Sequence, residues 1–306
     1  MNKRQLGKSD LYVSEIGLGC MSIGTDVREA QKTIEAALDS GINYLDTADL
    51  YNEGFNEEII GNVLKGKRHD VILATKAGNR FEKGKDGWTW DPSKKHIQTA
   101  VKDSLKRLQT DYIDLYQLHG GTTEDNIDET IEAFEELKQE GLIRYYGISS
   151  IRPNVIREYV KRSSIISIMM QYSLLDRRPE ELFPLLEEHQ VSIVARGPVA
   201  KGILTDRPFS QMSDSIQLKG YLTYSYEELQ SLRSAFEKEL LQGRPMQAVA
   251  LQYCLSSPVV ASVVAGASSP AQVRDNVKAL ETVNLTSAEL DWMKAQTKMD
   301  LYEQHR

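Results

Sequence analysis

Five apolar segments of the chain each end in a side chain that can carry a proton or hold a polar ligand. These residues are Asp46, Lys76, His119, Ser149 and Gln171. Tyr51 follows the first of them by five residues, so a loop would carry it to the same region. If the segments are parallel strands, their carboxyl ends converge, and the six side chains form one polar site.

Four of these residues could together move a proton. A tyrosine has a pKa of about 10 and is a weak acid at neutral pH. The ammonium group of Lys76 would stabilise the phenolate of Tyr51 and lower its pKa toward neutrality. Asp46 would keep Lys76 charged and oriented, and His119 would form a hydrogen bond at the substrate oxygen.

Each residue alone also has an ordinary structural explanation. Tyr51 could be a packing residue, Asp46 and Lys76 a structural ion pair, and His119 a core histidine with satisfied hydrogen bonds. The four residues together, at the ends of three successive apolar segments, favour a catalytic site. We refer to Asp46, Tyr51, Lys76 and His119 as the tetrad.

Eight short apolar runs rich in β-branched residues predict strands that are buried on both faces. The runs are Ser14–Gly19, Asn43–Asp46, Val71–Lys76, Ile113–His119, Tyr145–Ser149, Ile165–Gln171, Ser192–Arg196 and Ala261–Ala265. Amphipathic segments alternate with them, for example Val27–Leu38, which ends before Gly41. Further helices are predicted at Asn56–Leu64, Asp91–Leu108, Ile127–Leu137, Pro153–Lys161, Pro179–Gln190, Met246–Leu255 and Pro270–Leu280.

Eight strand and helix pairs indicate an α/β fold, either a closed parallel barrel or a doubly wound sheet. The count of eight favours the (β/α)8 TIM barrel. We also expect an N-terminal β-hairpin formed by Lys3–Gln5 and Tyr12–Ser14, and two additional helices at Tyr226–Leu241 and Ser287–Gln296. Residues 1–306 are expected to form a single domain, because nothing resembles a linker.

Composition excludes several classes of function. The 306 residues include 37 basic and 44 acidic side chains, for a formal charge of −7, which argues against nucleic-acid or anionic-membrane binding. No segment has the length and apolarity of a signal peptide or membrane span, so a cytoplasmic monomer or weak oligomer is expected. Cys20 and Cys254 are far apart and are expected to be buried thiols, with no metal site.

Two loops are each consistent with two interpretations. The strand that includes Val263 runs into Gly266 and then into a helix at Pro270, and amide groups at such a helix start suit a phosphate. Every strand-to-helix junction needs a turn, however, so an ordinary connection is equally consistent. The segment Arg80–Asp91 contains Trp88 and Trp90 and predicts either a wall or lid of the pocket or an ordinary surface loop.

These motifs resemble the aldo-keto reductase superfamily over essentially the whole chain. The run Asp46–Tyr51 matches the Asp-Thr-Ala-x-x-Tyr signature, Thr75-Lys76 and Leu118-His119 complete the tetrad, and Gly17–Ser22 is similar to the first-strand glycine motif. The resemblance implies reduction of a small carbonyl compound by hydride transfer from C4 of a reduced nicotinamide, with Tyr51 as the proton donor and no metal. In the reverse direction, an alcohol would be oxidised by hydride transfer to the oxidised nicotinamide.

The resemblance also implies the residues that hold the dinucleotide, as in the branch related to potassium-channel β subunits. They are Gly19, Cys20, Met21, Ser149, Ser150, Gln171, Arg196, Gly197, Pro198, Val199, Arg207, Gly266, Ser268, Gln272, Asp275 and Asn276. NADP(H) is favoured over NAD(H). The chain departs from the family pattern at Ser150, Arg196, Arg207 and the segment Gly266–Gln272. At the second of these positions, Arg196 replaces an aromatic residue that is common in the family.

Two other functions are consistent with parts of this pattern. A cofactor-binding regulatory or partner protein with little turnover would explain the similarity to channel β subunits, although such a protein has no need for a complete tetrad. Another barrel enzyme, such as a phosphate-dependent lyase or isomerase, would leave the spacing of Asp46 and Tyr51 unexplained.

Overall fold

The computed structural model describes residues 1–281 and 284–306 and contains a closed barrel of eight parallel strands. The barrel strands follow one another around the barrel in the order β3, β4, β5, β8, β9, β10, β11 and β12. The described strands are β1 Lys3–Gln5, β2 Tyr12–Ser14, β3 Ile16–Gly19, β4 Tyr44–Asp46, β5 Ile72–Ala77, β6 Asn79–Arg80, β7 Thr89–Trp90, β8 Ile113–Leu118, β9 Ile143–Ser149, β10 Ser167–Gln171, β11 Ser192–Arg196 and β12 Val260–Gly266. The predicted TIM barrel is therefore confirmed.

Helices form a layer around the barrel. The described α-helices are α1 Val27–Asp39, α2 Phe55–Val63, α3 Lys94–Leu108, α4 Ile127–Gln139, α5 Pro153–Arg162, α6 Phe183–Glu188, α7 Asp214–Lys219, α8 Tyr226–Phe236, α9 Met246–Leu255, α10 Pro270–Glu281 and α11 Ser287–Gln296. Eight of them follow barrel strands, whereas α7, α8 and α11 are additional. The sequence predicted α8 and α11 but not the six-residue α7.

The barrel interior is filled by side chains rather than open. Tyr44, Leu115 and Met169 belong to an apolar cluster that is separate from the larger core between the barrel and its helices. The predicted hairpin of β1 and β2 adds Leu6 and Leu11 to the inner cluster. The hairpin turn also contacts the barrel, because the Gly7 amide donates to Ser192 Oγ at 2.8 Å.

Most predicted boundaries shift by one or two residues, and three segments differ in a way that changes the element itself. Ser14 ends β2 rather than beginning the first barrel strand, which starts at Ile16. The third helix begins at Lys94 rather than Asp91, because Ser93 is its N-cap and accepts a hydrogen bond from the His96 amide at 3.3 Å. The segment predicted as one helix from Pro179 is a 3₁₀ turn, Arg178–Leu182, followed by the short α6.

Two short strands, β6 and β7, form a hairpin that the sequence did not predict. They pair antiparallel in the connection between β5 and α3, with Asn79 opposite Trp90. Two residues per strand are too few for an alternating pattern to be visible in the sequence. This hairpin carries Trp88 and Trp90 toward the carboxyl ends of the barrel strands.

The remaining expectations concern cysteines and membrane spans. Cys20 and Cys254 are both buried free thiols, as predicted. Among the described helices, none combines the length and apolarity needed to cross a bilayer.

Candidate active site

A buried ion pair forms the base of the site. Lys76, on β5, is fully buried, and Asp46, at the end of β4, is 3% exposed. The Lys76 ammonium donates to Asp46 Oδ1 at 2.5 Å and to the carbonyl oxygen of Thr47 at 2.7 Å. Gln117, on β8, donates to the other carboxylate oxygen at 3.1 Å. The neighbouring positions of β4, β5 and β8 therefore bring these three side chains together.

The ion pair keeps Lys76 charged in spite of its burial. Burial alone would lower the pKa of an ammonium group, but the attraction of Asp46 and Tyr51 raises the pKa of Lys76 above its usual value. Burial has the opposite effect on Asp46 and raises the pKa of its carboxyl group, against the attraction of Lys76. The 2.5 Å contact and two further hydrogen bonds support the charged form of the pair.

Tyr51 lies on a strained turn that follows β4. The next two residues, Asn52 and Glu53, both have left-handed backbone conformations, with φ of 50° and 54°. Such conformations cost non-glycine residues free energy and occur often at functional sites. Glu53 is tied to the neighbouring loop, because its carboxylate accepts a hydrogen bond from the Gly84 amide at 2.9 Å. The turn is therefore held in a shape that fixes the direction of Tyr51.

Tyr51 lies close to two other members of the tetrad, Lys76 and His119. The Lys76 ammonium lies 5.2 Å from the centre of the Tyr51 ring, and the His119 ring meets the Tyr51 ring edge to face with centroids 6.0 Å apart. The sequence predicted that Lys76 would bring the pKa of Tyr51 toward neutrality. Lys76 does act in that direction, but burial has the larger effect and raises the pKa of Tyr51 above its usual value. The predicted effect of Lys76 is therefore present, but it does not set the net direction of the pKa shift.

His119 is electrically neutral in this environment. Burial, together with the positive charges of Lys76 and Arg196, lowers the pKa of His119 to about 3. Its Nδ1 atom is buried and has no hydrogen-bond partner within the described part of the chain. A neutral imidazole with one N–H group can donate a hydrogen bond to a substrate oxygen without transferring charge.

A second group of buried polar residues supports the tetrad from behind. Glu57, on α2, is fully buried and accepts hydrogen bonds from Thr75 Oγ1 at 2.6 Å and from Arg107 Nε at 2.7 Å. Thr75 directly precedes Lys76 on β5. Asp49 is also buried nearby, where burial and the negative charge of Glu57 raise its pKa to about 8. These contacts fix α2 and α3 against the strand that carries Lys76.

A pocket of about 660 Å³ opens above the tetrad. Tyr51 and His119 line it, and its other side chains are largely apolar, including Met21, Leu50, Trp88, Trp90, Ile151 and Met169. The prediction that the segment Arg80–Asp91 contributes to the pocket wall is therefore confirmed. Ser149 and Ser150 also line this pocket, at the end of β9. Among the described residues, the charged groups that line it are Arg152 and Arg196.

A groove of about 800 Å³ continues from this pocket along the ends of β10, β11 and β12. Met21 and Arg196 line both cavities and so mark where they join. Residues that the sequence assigned to dinucleotide binding line the groove: Met21, Gln171, Arg196, Gly197, Pro198, Val199, Arg207, Gly266, Gln272, Asp275 and Asn276. The groove also contains residues that the sequence did not single out, among them Lys201, Tyr221 and Gln247.

Gln171 is held in place by neighbours on both sides. Its amide group donates to Asp176 Oδ2 at 3.1 Å and to the Tyr221 hydroxyl at 2.9 Å, while its carbonyl oxygen accepts from Arg196 at 3.2 Å. Tyr221 lies between α7 and α8, in a segment whose sequence carries no strand, helix or motif pattern. Only the folded chain reveals it as a neighbour of Gln171.

Three of the predicted binding residues lie elsewhere. The Cys20 side chain is fully buried, with its thiol 3.6 Å from the Leu18 carbonyl oxygen, so it faces the core and not the groove. Gly19 ends β3 beside Cys20 and does not line either cavity. Ser268 lies outside the groove, where its amide and hydroxyl groups both donate to Gln272 Oε1. These three residues are therefore not among those that line the two cavities, and their contacts with a dinucleotide stay predictions.

Comparison with known protein families gives a match over most of the chain. Residues 15–297 match the model of the aldo/keto reductase family. The chain belongs to the aldo/keto reductase family. The match covers the barrel and contains all four residues of the tetrad, so this chain is an oxidoreductase of that family.

Individual relatives span the same length. The chain is 62% identical to the oxidoreductase YqkF of Bacillus subtilis (strain 168), with both chains fully covered. It is similar to the solved holo form of aldo-keto reductase AKR11C1 from Bacillus halodurans, with 63% identity, a TM-score of 0.95 and coverage of 100% and 99% of the two chains. It is 29% identical to a probable voltage-gated potassium channel subunit beta of Oryza sativa subsp. japonica, over 95% of this chain and 94% of that protein. The expected relationship to channel β subunits is confirmed.

Proposed function

We propose that this chain reduces aldehydes or ketones to alcohols with NADPH, using Tyr51 as the proton donor. The observation that carries the proposal is the contact of Tyr51 with both Lys76 and His119 at the base of a mainly apolar pocket. A carbonyl oxygen in that pocket would lie where a phenol and a neutral imidazole can both donate hydrogen bonds.

The groove has features that suit a dinucleotide. It is continuous with the pocket, and Ser22 packs tightly against Gly266 at its wall, where a Cβ atom would lie 2.5 Å from Ser22 Oγ. Gln171, Ser149 and Ser150 are the proposed carboxamide contacts, and Gln272, Asp275 and Asn276 the proposed contacts at the adenosine end. When bound, the dinucleotide supplies a hydride from C4 of its nicotinamide ring.

The residues of the tetrad have distinct proposed roles in the reduction. Tyr51 holds its proton until negative charge develops on the substrate oxygen, and then donates it. Lys76 stabilises the resulting phenolate because it is fully buried and remains charged. Asp46 and Gln117 orient Lys76, and His119 donates a hydrogen bond that positions the carbonyl oxygen.

The preference for NADP(H) over NAD(H) is supported by the charges along the groove. Arg196, Lys201 and Arg207 contribute three positive charges, against two negative charges from Asp206 and Asp275. The carboxylate of Asp206 already has a partner within the chain, because it accepts a hydrogen bond from the Met246 amide at 2.9 Å. An excess of positive charge favours the additional phosphate group of NADP(H).

The test measures oxidation of NADPH and of NADH by absorbance, with 4-nitrobenzaldehyde, methylglyoxal and a simple ketone as substrates. We expect turnover with NADPH, and a decrease in kcat of about 10²–10⁴-fold in Tyr51→Phe at unchanged NADPH affinity. Tyr226→Phe, which changes an aromatic residue of α8, serves as the matched control.

The same experiment separates an enzyme from a cofactor-binding partner protein. Tight NADPH binding without reduction of any of the three substrates, and no effect of Tyr51→Phe, would contradict the proposed reductase function. The identity of the preferred cofactor follows from the ratio of kcat/KM for NADPH and NADH in the wild-type protein.

A further inference from the structure

We propose that Trp90 is the residue that determines substrate specificity, by forming a fixed aromatic wall that selects carbonyl compounds with a flat apolar body, such as aryl aldehydes. This inference rests on the proposed reductase function and names the substrate class of the same site. Trp90 lies at the end of β7 and lines the pocket above Tyr51 and His119.

The indole ring of Trp90 is anchored by a hydrogen bond. Its Nε1–H group donates to Asp125 Oδ1 at 2.8 Å. The carboxylate of Asp125 also accepts from the amide of Thr122 at 2.6 Å and from its hydroxyl group at 2.8 Å. Asp125 therefore ties the β6–β7 hairpin to the loop that follows His119. An indole held in this way loses little freedom when a substrate packs against it.

Two glycines create the space that the ring occupies. A Cβ atom at Gly78 would lie 2.8 Å from the Trp90 ring, and one at Gly120 would lie 3.0 Å from it. Both glycines also have positive φ angles, of 123° and 144°, that other residues rarely adopt. Gly78 follows Lys76 by two residues, and Gly120 follows His119 directly. The glycines therefore bring the ring close to the catalytic residues.

The rest of the wall continues the apolar surface. Met21, Leu50, Ile151 and Met169 line the same pocket, and no carboxylate side chain is among its lining residues in the described part of the chain. Trp88, on the same hairpin, is 56% exposed and lies at the rim. A flat apolar body can stack on or meet the edge of the Trp90 ring, whereas a small hydrated carbonyl compound gains little from that contact.

The experiment compares Trp90→Ala, Trp90→Phe and the rim variant Trp88→Ala with the wild-type protein. Two substrates, 4-nitrobenzaldehyde and methylglyoxal, are assayed for kcat and KM with NADPH. Binding of 4-nitrobenzyl alcohol in the presence of NADP⁺ is measured by calorimetry, which requires no turnover. The dissociation constant of NADPH reports whether each variant keeps its fold and its groove.

We expect Trp90→Ala to raise KM for 4-nitrobenzaldehyde and to weaken 4-nitrobenzyl alcohol binding by roughly tenfold, with less than about twofold change for methylglyoxal. Trp90→Phe should recover most of the loss, because it restores an aromatic face, and Trp88→Ala should have a smaller effect than Trp90→Ala. Equal losses for both substrates, or no binding of 4-nitrobenzyl alcohol to the wild-type protein, would overturn the inference. Binding of the alcohol that depends on Trp90, without any turnover, would support the inference and contradict the reductase function instead.

Discussion

The substitution Lys76→Met tests the buried ion pair on which the site is built. It removes an ammonium group that lies 2.5 Å from Asp46 Oδ1 and 2.7 Å from the Thr47 carbonyl oxygen, at positions with almost no solvent exposure. Removing one partner of a buried pair leaves the other uncompensated and costs about 3–5 kcal/mol. We expect the free energy of unfolding to decrease by that amount at neutral pH.

The loss should depend on pH in a defined direction. Burial raises the pKa of Asp46, and without Lys76 nothing comparable opposes this effect. In the unfolded chain this carboxyl group loses its proton at a pH of about 4. Above that pH, the folded variant therefore holds one proton more than the unfolded variant. Each further pH unit then lowers its stability by about 1.4 kcal/mol, until the pH reaches the folded-state pKa. The variant should therefore be less stable at pH 8 than at pH 5.

Urea unfolding followed by tryptophan fluorescence at pH 5 and pH 8 measures both effects. The double variant Lys76→Met with Asp46→Asn should regain part of the stability and lose the added pH dependence, because it carries no buried charge. Lys106→Met, which removes an exposed lysine of α3, is the matched control and should show neither effect. A loss below about 1 kcal/mol in Lys76→Met, or a double variant with the same pH dependence, would refute the electrostatic argument.

Three further predictions concern titrating groups. Burial and the positive charges of Lys76 and Arg196 lower the pKa of His119 to about 3, so the pH profile of kcat should show no His119 inflection between pH 5 and 8. Arg196→Gln should raise the pKa of His119, whereas Lys201→Gln should leave it unchanged; histidine NMR titration measures both, and equal shifts would contradict the prediction. Burial and Glu57 raise the pKa of Asp49 to about 8, so the stability it contributes is present below a pH of about 4 and lost as the pH rises through 8. Asp49→Asn should remove this pH dependence in urea unfolding at pH 4, 6 and 8, and an unchanged slope would show that Asp49 does not cause it.

The sequence predicted the barrel and the tetrad because both depend on local patterns. Buried parallel strands give continuous apolar runs, and the residue that ends each run lies at the barrel mouth, as Asp46, Lys76 and His119 do. A side-chain direction is less easily predicted. Cys20 directly follows the last residue of the first barrel strand, so the sequence places it at the barrel mouth. It begins a 3₁₀ turn, however, and its thiol is buried in the core.

The walls of the two cavities depend on contacts between distant segments. Trp90 reaches the site because a hairpin of two-residue strands brings it against Gly120 and Asp125, which lie 30 or more residues later in the chain. Tyr221 reaches Gln171 across 50 residues, from a segment without a regular pattern. The pKa of Tyr51 also depends on burial, which spacing alone does not reveal, and burial outweighs the lowering by Lys76 that the sequence predicted.

The charges of the site suit the proposed reduction at neutral pH. The charges of Asp46 and Lys76 offset each other, His119 is neutral, and Arg196 adds a positive charge at the junction of the pocket and the groove. This arrangement stabilises negative charge that develops on a substrate oxygen. Burial raises the pKa of Tyr51 above its usual value, which keeps the phenol protonated for the donation that we propose. Oxidation of an alcohol would instead require the Tyr51 phenolate, whose population grows only as the pH rises toward that pKa.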